Sequence, residues 1–353
     1  LLAVMGGLGL LSKYTMGIFA FSVFFFLLFE KNFRHHLVNP RLWLATLIAA
    51  LIFLPNIGWN IVNDFPTFQH TADIAKAADE NTLQYSELSE FLFGQLGVFG
   101  IIFFPVLLYL WIRRKTWRDH WQMRLLSQFT LVFLLIIIAQ SLFGRANANW
   151  AAPSYVAASV FIVVWLMGSQ KPLLSRLLIT GLLLNALLAV FIYHYPSLMK
   201  GANVELNQNN DLYKRLKGWR TLGEQIYKIR QHYPNTTLLA QDRELIAELS
   251  YYAGRSDERP IPIISWNPAQ QLRHHYDLAT SMSDKTGQHF LYIGDHDEKV
   301  QSLTPYFTVV QPIAIITAPV NAAYQRQYSV WLMQGFKGYA PPSIPSTAPA
   351  AAP

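Results

Sequence analysis

Apolar and polar positions change their rhythm near residue 200, and the two sides of that point predict different kinds of structure. Before it, apolar runs recur at 1–11, 15–30, 42–58, 92–112, 125–143, 154–168 and 176–194, separated by polar stretches. A helix needs about 20 residues to cross a hydrocarbon layer of ~30 Å, so the pattern predicts about six complete spans after one truncated one. Residues 1–30 as one helix would run about 45 Å, too long for a single crossing, and the polar group Ser12-Lys13-Tyr14-Thr15 predicts a break.

Past residue 200 the spacing is that of a soluble domain. Leu212, Leu216, Trp219, Leu222, Ile226 and Ile229 recur at helical intervals and predict a helix over 211–233. Strands are predicted at 236–241, 261–265, 289–294, 307–316 and 328–333, with a helix at 242–253 opened by Asp242. Residues 201–337 therefore read as a small α/β domain. The segment 338–353 ends in APPSIPSTAPAAAP and has too few apolar residues to fold, so it is expected to be disordered.

Charge orients the helical part. KNFRHHLVNPR (31–41), RRKTWRDHWQMR (113–124) and SQKPLLSR (169–176) are rich in Lys and Arg, whereas the loop 59–91 sets Lys76 against Asp64, Asp73, Asp79, Glu80, Glu87 and Glu90. The positive-inside bias makes the three basic loops cytoplasmic and sends the alternate loops, with everything after residue 195, to the outer face. The +7 net charge is thus explained by membrane topology, and no nucleic-acid partner is implied. With 52% hydrophobic residues the chain exceeds an ordinary soluble domain, which carries roughly 45–50%. The absence of cysteine removes disulfide and thiolate-metal chemistry. A start at Leu1, inside an apolar run, is expected to mark the later part of a longer protein.

Three polar groups interrupt the outer side. FGRANANWAAPSY (143–155) sets Arg145, Asn147, Asn149 and Trp150 between two apolar runs. A solvated turn with an interfacial Trp accounts for them, and so does a pocket in which the Arg145 guanidinium grips a lipid phosphate while Asn149 and Trp150 meet a sugar. Lys13, beside Ser12 and Tyr14, either snorkels or supplies a second cation to the same head group. Trp59, Asn60, Asn63 and Asp64 follow the end of a span at PNIGWNIVNDFPTFQH (55–70). His70 and the pairs His35–His36 and His274–His275 lack ligand spacing, so no metal is expected. LAVMGGLGLL (2–11) presents small residues suited to close helix packing, and no phosphate loop is present.

GGLGLLSKYTMGIF (6–19), LPNIGWNIVNDFPTF (54–68), NANWAAPSYVAA (147–158), LKGWRTLGEQI (216–226) and LLAQDRELIAELSYY (238–252) together resemble glycosyltransferase family 39. That family groups protein mannosyltransferases with the lipid A aminoarabinose transferase. The resemblance implies an α-helical multispanning membrane protein of glycosyltransferase C type with a small C-terminal α/β extracytoplasmic domain. It also implies a polyprenyl-phosphate-linked sugar donor, and a lipid, glycan or protein acceptor on the outer face of a bacterial inner membrane. No cofactor is implied. Lys13 and Arg145 are the expected donor-phosphate contacts, and Tyr14, Trp59, Asn60, Asn149 and Trp150 the expected pocket lining. The family's acidic catalytic motif lies in the first outer loop, before the point where this chain begins, so the catalytic base is unknown and the fragment alone is expected to be inactive. A transporter or flippase of lipid-linked sugar, and a non-catalytic scaffold, are the alternatives.

Overall fold

The computed structural model describes residues 1–69, 83–168, 171–254, 260–294 and 297–339. His70, Asp73, Lys76, Asp79 and Glu80 lie outside the described residues, as does the tail from 340 onward. The chain forms two compact units, Leu1–Tyr193 and His194–Pro353.

The first unit is helical: α1 (Leu2–Ser12), α2 (Met16–Phe29), α3 (Pro40–Val62), α4 (Tyr85–Val98), α5 (Phe103–Ile112), α6 (Trp121–Phe143), α7 (Ala152–Gly168) and α8 (Pro172–Tyr193). Among the described residues α3, α6, α8 and the stretch Ala148–Gly168 are each long and apolar enough to cross a membrane, and α4 with α5 makes a fifth if taken as one bent span. Much of the side-chain surface of α3 and α8 is apolar and exposed, as at Leu47, Leu51, Leu183 and Leu187, which only a hydrocarbon environment or another apolar surface tolerates. The core lies among α4 to α7, where Phe91, Leu107, Leu134 and Phe161 are almost fully buried.

The predicted break in residues 1–30 is present: α1 ends at Ser12, and Lys13 is extended, with φ −159° and ψ 127°. The helices on either side have only 11 and 14 residues, about 16 and 21 Å at ~1.5 Å per residue. The run 15–30, expected to be a complete span, is therefore too short to be one as a helix. The glycines of the first run do the packing expected of them. A Cβ on Gly7 would lie 2.7 Å from Ile52 Cβ and 3.0 Å from the Ala49 carbonyl, so α1 reaches α3 only because that atom is missing.

The run 92–112, expected as one span, is not one continuous helix. It is two helices bent by 114°. Gly100 adopts φ +120°, which other residues rarely reach, and Asn185 Nδ2 of α8 donates to the Phe99 carbonyl freed at the break (3.0 Å). Helix α4 also begins at Tyr85, inside what the sequence suggested was loop, because its first turns carry Glu87 and Glu90 and lack the apolar density of a span.

The second unit contains α9 (Tyr195–Gly201), α10 (Trp219–His232), β1 (Thr236–Ala240), α11 (Arg243–Tyr252), β2 (Ile263–Ser265), α12 (His275–Ala279), β3 (His289–Gly294), α13 (Asp297–Leu303), β4 (Phe307–Asn321) and β5 (Tyr324–Phe336). The sheet order is β2-β1-β3-β5-β4, with β2, β1 and β3 parallel and the β4–β5 hairpin antiparallel. Strand alternation splits the core in two: Leu238, Leu291 and Ile293 face α10 and α11, while Leu239, Phe290 and Tyr292 pack with Trp266, Phe307 and Phe336.

The helix expected over 211–233 starts only at Trp219. Gly218 is left-handed (φ 87°), and Asp211 holds the preceding residues in turns by accepting from Tyr213 N (2.9 Å) and Lys217 Nζ (2.8 Å). The hairpin is longer than expected. Pro312 and Pro319 interrupt β4 at register shifts, which an edge strand accommodates because its outer N–H groups need no partner. Tyr339 packs on Trp266, Tyr306 and Phe336, so the fold extends past residue 338.

Candidate functional site

The polar residues expected to form one pocket fall into two groups in the helical unit. Each lies beyond the end of a helix remote from the ion pair that joins α2 to α6. Arg124 Nε meets Glu30 Oε2 at 2.6 Å, joining the close of α2 to the opening of α6, and the two helices run away from that ion pair side by side, with Phe19 against Phe129. Lys13 precedes α2 and Arg145 follows α6, so each stands at the far end.

The first group surrounds the break. Tyr14 donates its hydroxyl proton to Asn56 Oδ1, and Asn60 Nδ2 donates to the Asn56 carbonyl (2.9 Å) and the Tyr14 hydroxyl (3.2 Å). Phe53 and Phe68 enclose the Tyr14 ring at 5.3 and 5.6 Å between centroids. Asn60 is fully buried, and its Oδ1 has no hydrogen-bond partner. This network ties the turn carrying Lys13 to α3. The Lys13 side chain is exposed and makes no hydrogen bond or ion pair with a described residue; Trp59, one position before Asn60, is 41% exposed. Beyond α3, Asp64 and Phe65 both have positive φ (59° and 55°), and Phe65 N donates to the Asn60 carbonyl (2.7 Å). For a bulky residue such as Phe65 that conformation is strained.

The second group is a polar pocket of about 410 Å³ lined by Glu87 and Glu90 of α4 and by Arg145 and Asn147 of the turn after α6. Gln95, fully buried, anchors that turn: its Nε2 donates to Phe91 O (2.7 Å) and Ala148 O (3.3 Å), and its Oε1 accepts from the Tyr155 hydroxyl (2.6 Å). The Tyr155 ring stacks on Phe99 at 4.1 Å, and Gln84 N donates to Leu142 O (2.8 Å). Arg145 and Asn149 are exposed, whereas Trp150 is half-buried against the aromatic core. The structure thus brings Tyr14 together with Asn60, and Arg145 together with two carboxylates. Among the described residues no hydrogen bond or ion pair joins the two groups.

Sequence reasoning counted Glu87 and Glu90 only as loop acids and gave no site role to Asn56 or Gln95. The signal for the carboxylates was present in the spacing Glu87, Glu90, Phe91, Gly94, one face of a helix, but it is hidden if residues 59–91 are taken as loop. Of the histidines, exposed His35 and His36 pack with tilted rings, 4.1 Å between centroids. His274 has a buried side chain, with Nδ1 3.6 Å from Asp277.

Apolar helices of spanning length, a bundle core of aromatic residues and a small mixed sheet define a multi-pass membrane protein that carries a globular domain. Residues 1–59, which include Lys13, Tyr14 and Asn56 and stop just short of Asn60, match the family model described as dolichyl-phosphate-mannose-protein mannosyltransferase. The chain is 29% identical over 208 residues to the lipid A galacturonosyltransferase RgtD of Rhizobium johnstonii, an alignment covering 59% of this chain and 42% of that protein. Both findings support the resemblance to family 39: the chain is similar to the membrane glycosyltransferases of that family. It spans less than half the length of the curated relative it matches. No solved structure gives a significant match.

Proposed function

We propose that this chain is part of a membrane glycosyltransferase of glycosyltransferase C type that takes a sugar from a polyprenyl-phosphate donor and transfers it to a lipid, glycan or protein acceptor. The reaction would occur on the outer face of a bacterial inner membrane, with the sheet domain on that side. An acceptor oxygen attacks the anomeric carbon, the bond from that carbon to the phosphate oxygen breaks, and the bonding pair leaves on the polyprenyl phosphate. The acceptor proton passes to a base that no residue of this chain is assigned to supply. Lys13 and Arg145 stabilise the charge developing on the departing phosphate, where fixed cations count most. Tyr14, Trp59, Asn60, Asn149 and Trp150 line the pocket.

The observation that carries this reading is Lys13 itself. It is an exposed cation at a helix break, on a turn fixed by Tyr14, Asn56 and Asn60, inside the segment that matches the mannosyltransferase model. In the full-length protein, Lys13→Ala and Arg145→Ala are each expected to lower transfer of labelled sugar by roughly 10²-fold while expression persists, the scale of losing one transition-state donor. Unchanged turnover in both variants would remove these residues from the site.

The bent pair α4–α5 favours a second reading, a transporter or flippase of the lipid-linked sugar, because broken helices with a positioned polar side chain recur at transport sites. Label found on a new acceptor means transfer; label moved across the bilayer on its original lipid means transport.

A further inference from the structure

A large cleft in the helical unit belongs to neither polar group. It has a volume of about 1210 Å³ and lies where the loops are basic. Tyr109 of α5, Trp117 and Trp165 of α7 form its aromatic walls, Leu174 of α8 and Leu126 of α6 continue it along the apolar helix surfaces, and His120 and Lys171 stand at its mouth. Its shape is fixed by hydrogen bonds from the two indoles: Trp117 Nε1 donates to Leu110 O (2.7 Å) and Trp165 Nε1 to Thr116 Oγ1 (3.2 Å).

Two features identify an occupant. An ordinary small-molecule pocket measures roughly 300–1,000 Å³, so this cleft is large, and its walls are those of a bilayer-depth surface. Its rim carries positive charge that the surrounding residues leave open. The cations are Lys171 and, on the adjoining turn Arg114–Thr116, Arg114 and Lys115; all three are exposed and none pairs with an acid among the described residues, while the exposed His120 adds ring nitrogens able to hydrogen-bond. The nearby Asp119 is engaged by Arg118 at 3.7 Å. An apolar trough ending in unpaired cations fits an amphiphile with an anionic head.

We propose that this cleft binds one anionic glycerophospholipid, its acyl chains along the α5–α7–α8 surface and its phosphate between Lys171 and His120. The site depends on the membrane character of the chain and is independent of glycosyl transfer.

The test is native mass spectrometry of the whole chain, purified in detergent, with phosphatidylglycerol and phosphatidylethanolamine supplied at equal concentration. Preferential retention of phosphatidylglycerol is expected. Lys171→Gln should weaken that retention about fivefold, the scale of one cation beside an anionic lipid surface. Gly168→Leu should abolish it by filling the cleft, since a Cβ at Gly168 meets no atom within 4 Å and the fold has room for it. Arg176→Gln, outside the lining, should behave as wild type. Equal retention of the two lipids, wild-type binding in both cleft variants, or displacement by water-soluble glycerol phosphate would each overturn the proposal. The last result would mean a site for free phosphate.

Discussion

At the scale of single residues, what matters in the helical unit is how closely atoms approach. Gly7 faces Ile52 so tightly that even a methyl group would collide with it. Gly7→Val is therefore expected to cost about 1–3 kcal/mol, the usual penalty for overpacking, and to lower the melting temperature of the detergent-solubilised protein. Tyr14 acts differently, because its ring packs well enough for Phe to replace it and only the hydroxyl is special. Tyr14→Phe leaves the buried Asn60 amide one acceptor poorer and takes the donor from Asn56. About 1–3 kcal/mol should be lost in the same melting measurement. A double variant with Asn60→Leu should lose less than the two single effects added together, since the two residues share one network.

At the scale of elements, caps and breaks decide where helices stop. Asp242 accepts from Leu245 N at 2.9 Å, capping α11 as its position in the sequence suggested. Asp242→Ala should cost about 1 kcal/mol, seen as faster hydrogen exchange in the first turn of Arg243–Tyr252. The α4–α5 break depends on Gly100 in a conformation with positive φ, against which Asn185 packs. Gly100→Ala places a Cβ 2.4 Å from Asn185 Oδ1 and also strains the backbone, so it should destabilise the bend by roughly 1–3 kcal/mol. If the bend serves transport or transfer, this variant should impair function at temperatures where the protein remains folded.

For the whole molecule, two carboxylates with buried side chains, Asp211 and Asp277, make the sheet domain more sensitive to acid. Burial by itself would raise the pKa of Asp277, but hydrogen bonds from Arg273 and Ser265 and the Arg273 charge outweigh it and hold the group below the usual carboxylate value. Asp211 follows the same logic, with burial opposed by Lys217, Asn321 and the backbone of Tyr213. A pKa lowered by folding stabilises the native state above the unfolded value of 3.8, and that stabilisation is lost as pH falls through the folded values. Hydrogen exchange in the segments around Asp211 and Asp277 should therefore accelerate below about pH 4, while the helical unit changes less. Asp277→Asn should raise exchange near neutral pH and flatten its dependence on acid.

The linear order of residues determined the membrane character of the first unit, the break at Lys13, the close-packing role of the early glycines and the strand positions of the second unit. Each of these depends on neighbours a few positions apart: apolar run length, a polar interruption, a period of two or of 3.6. Only the tertiary structure decided that residues 92–112 fold into two helices, because the group that satisfies the opened backbone, Asn185, is 86 positions away from Phe99. It alone also placed Glu87 and Glu90 beside Arg145, and Tyr14 beside Asn56 and Asn60. A polar side chain on a helix carries no mark in the sequence of which distant turn it will face; that is set when aromatic and glycine contacts fix how the helices stack.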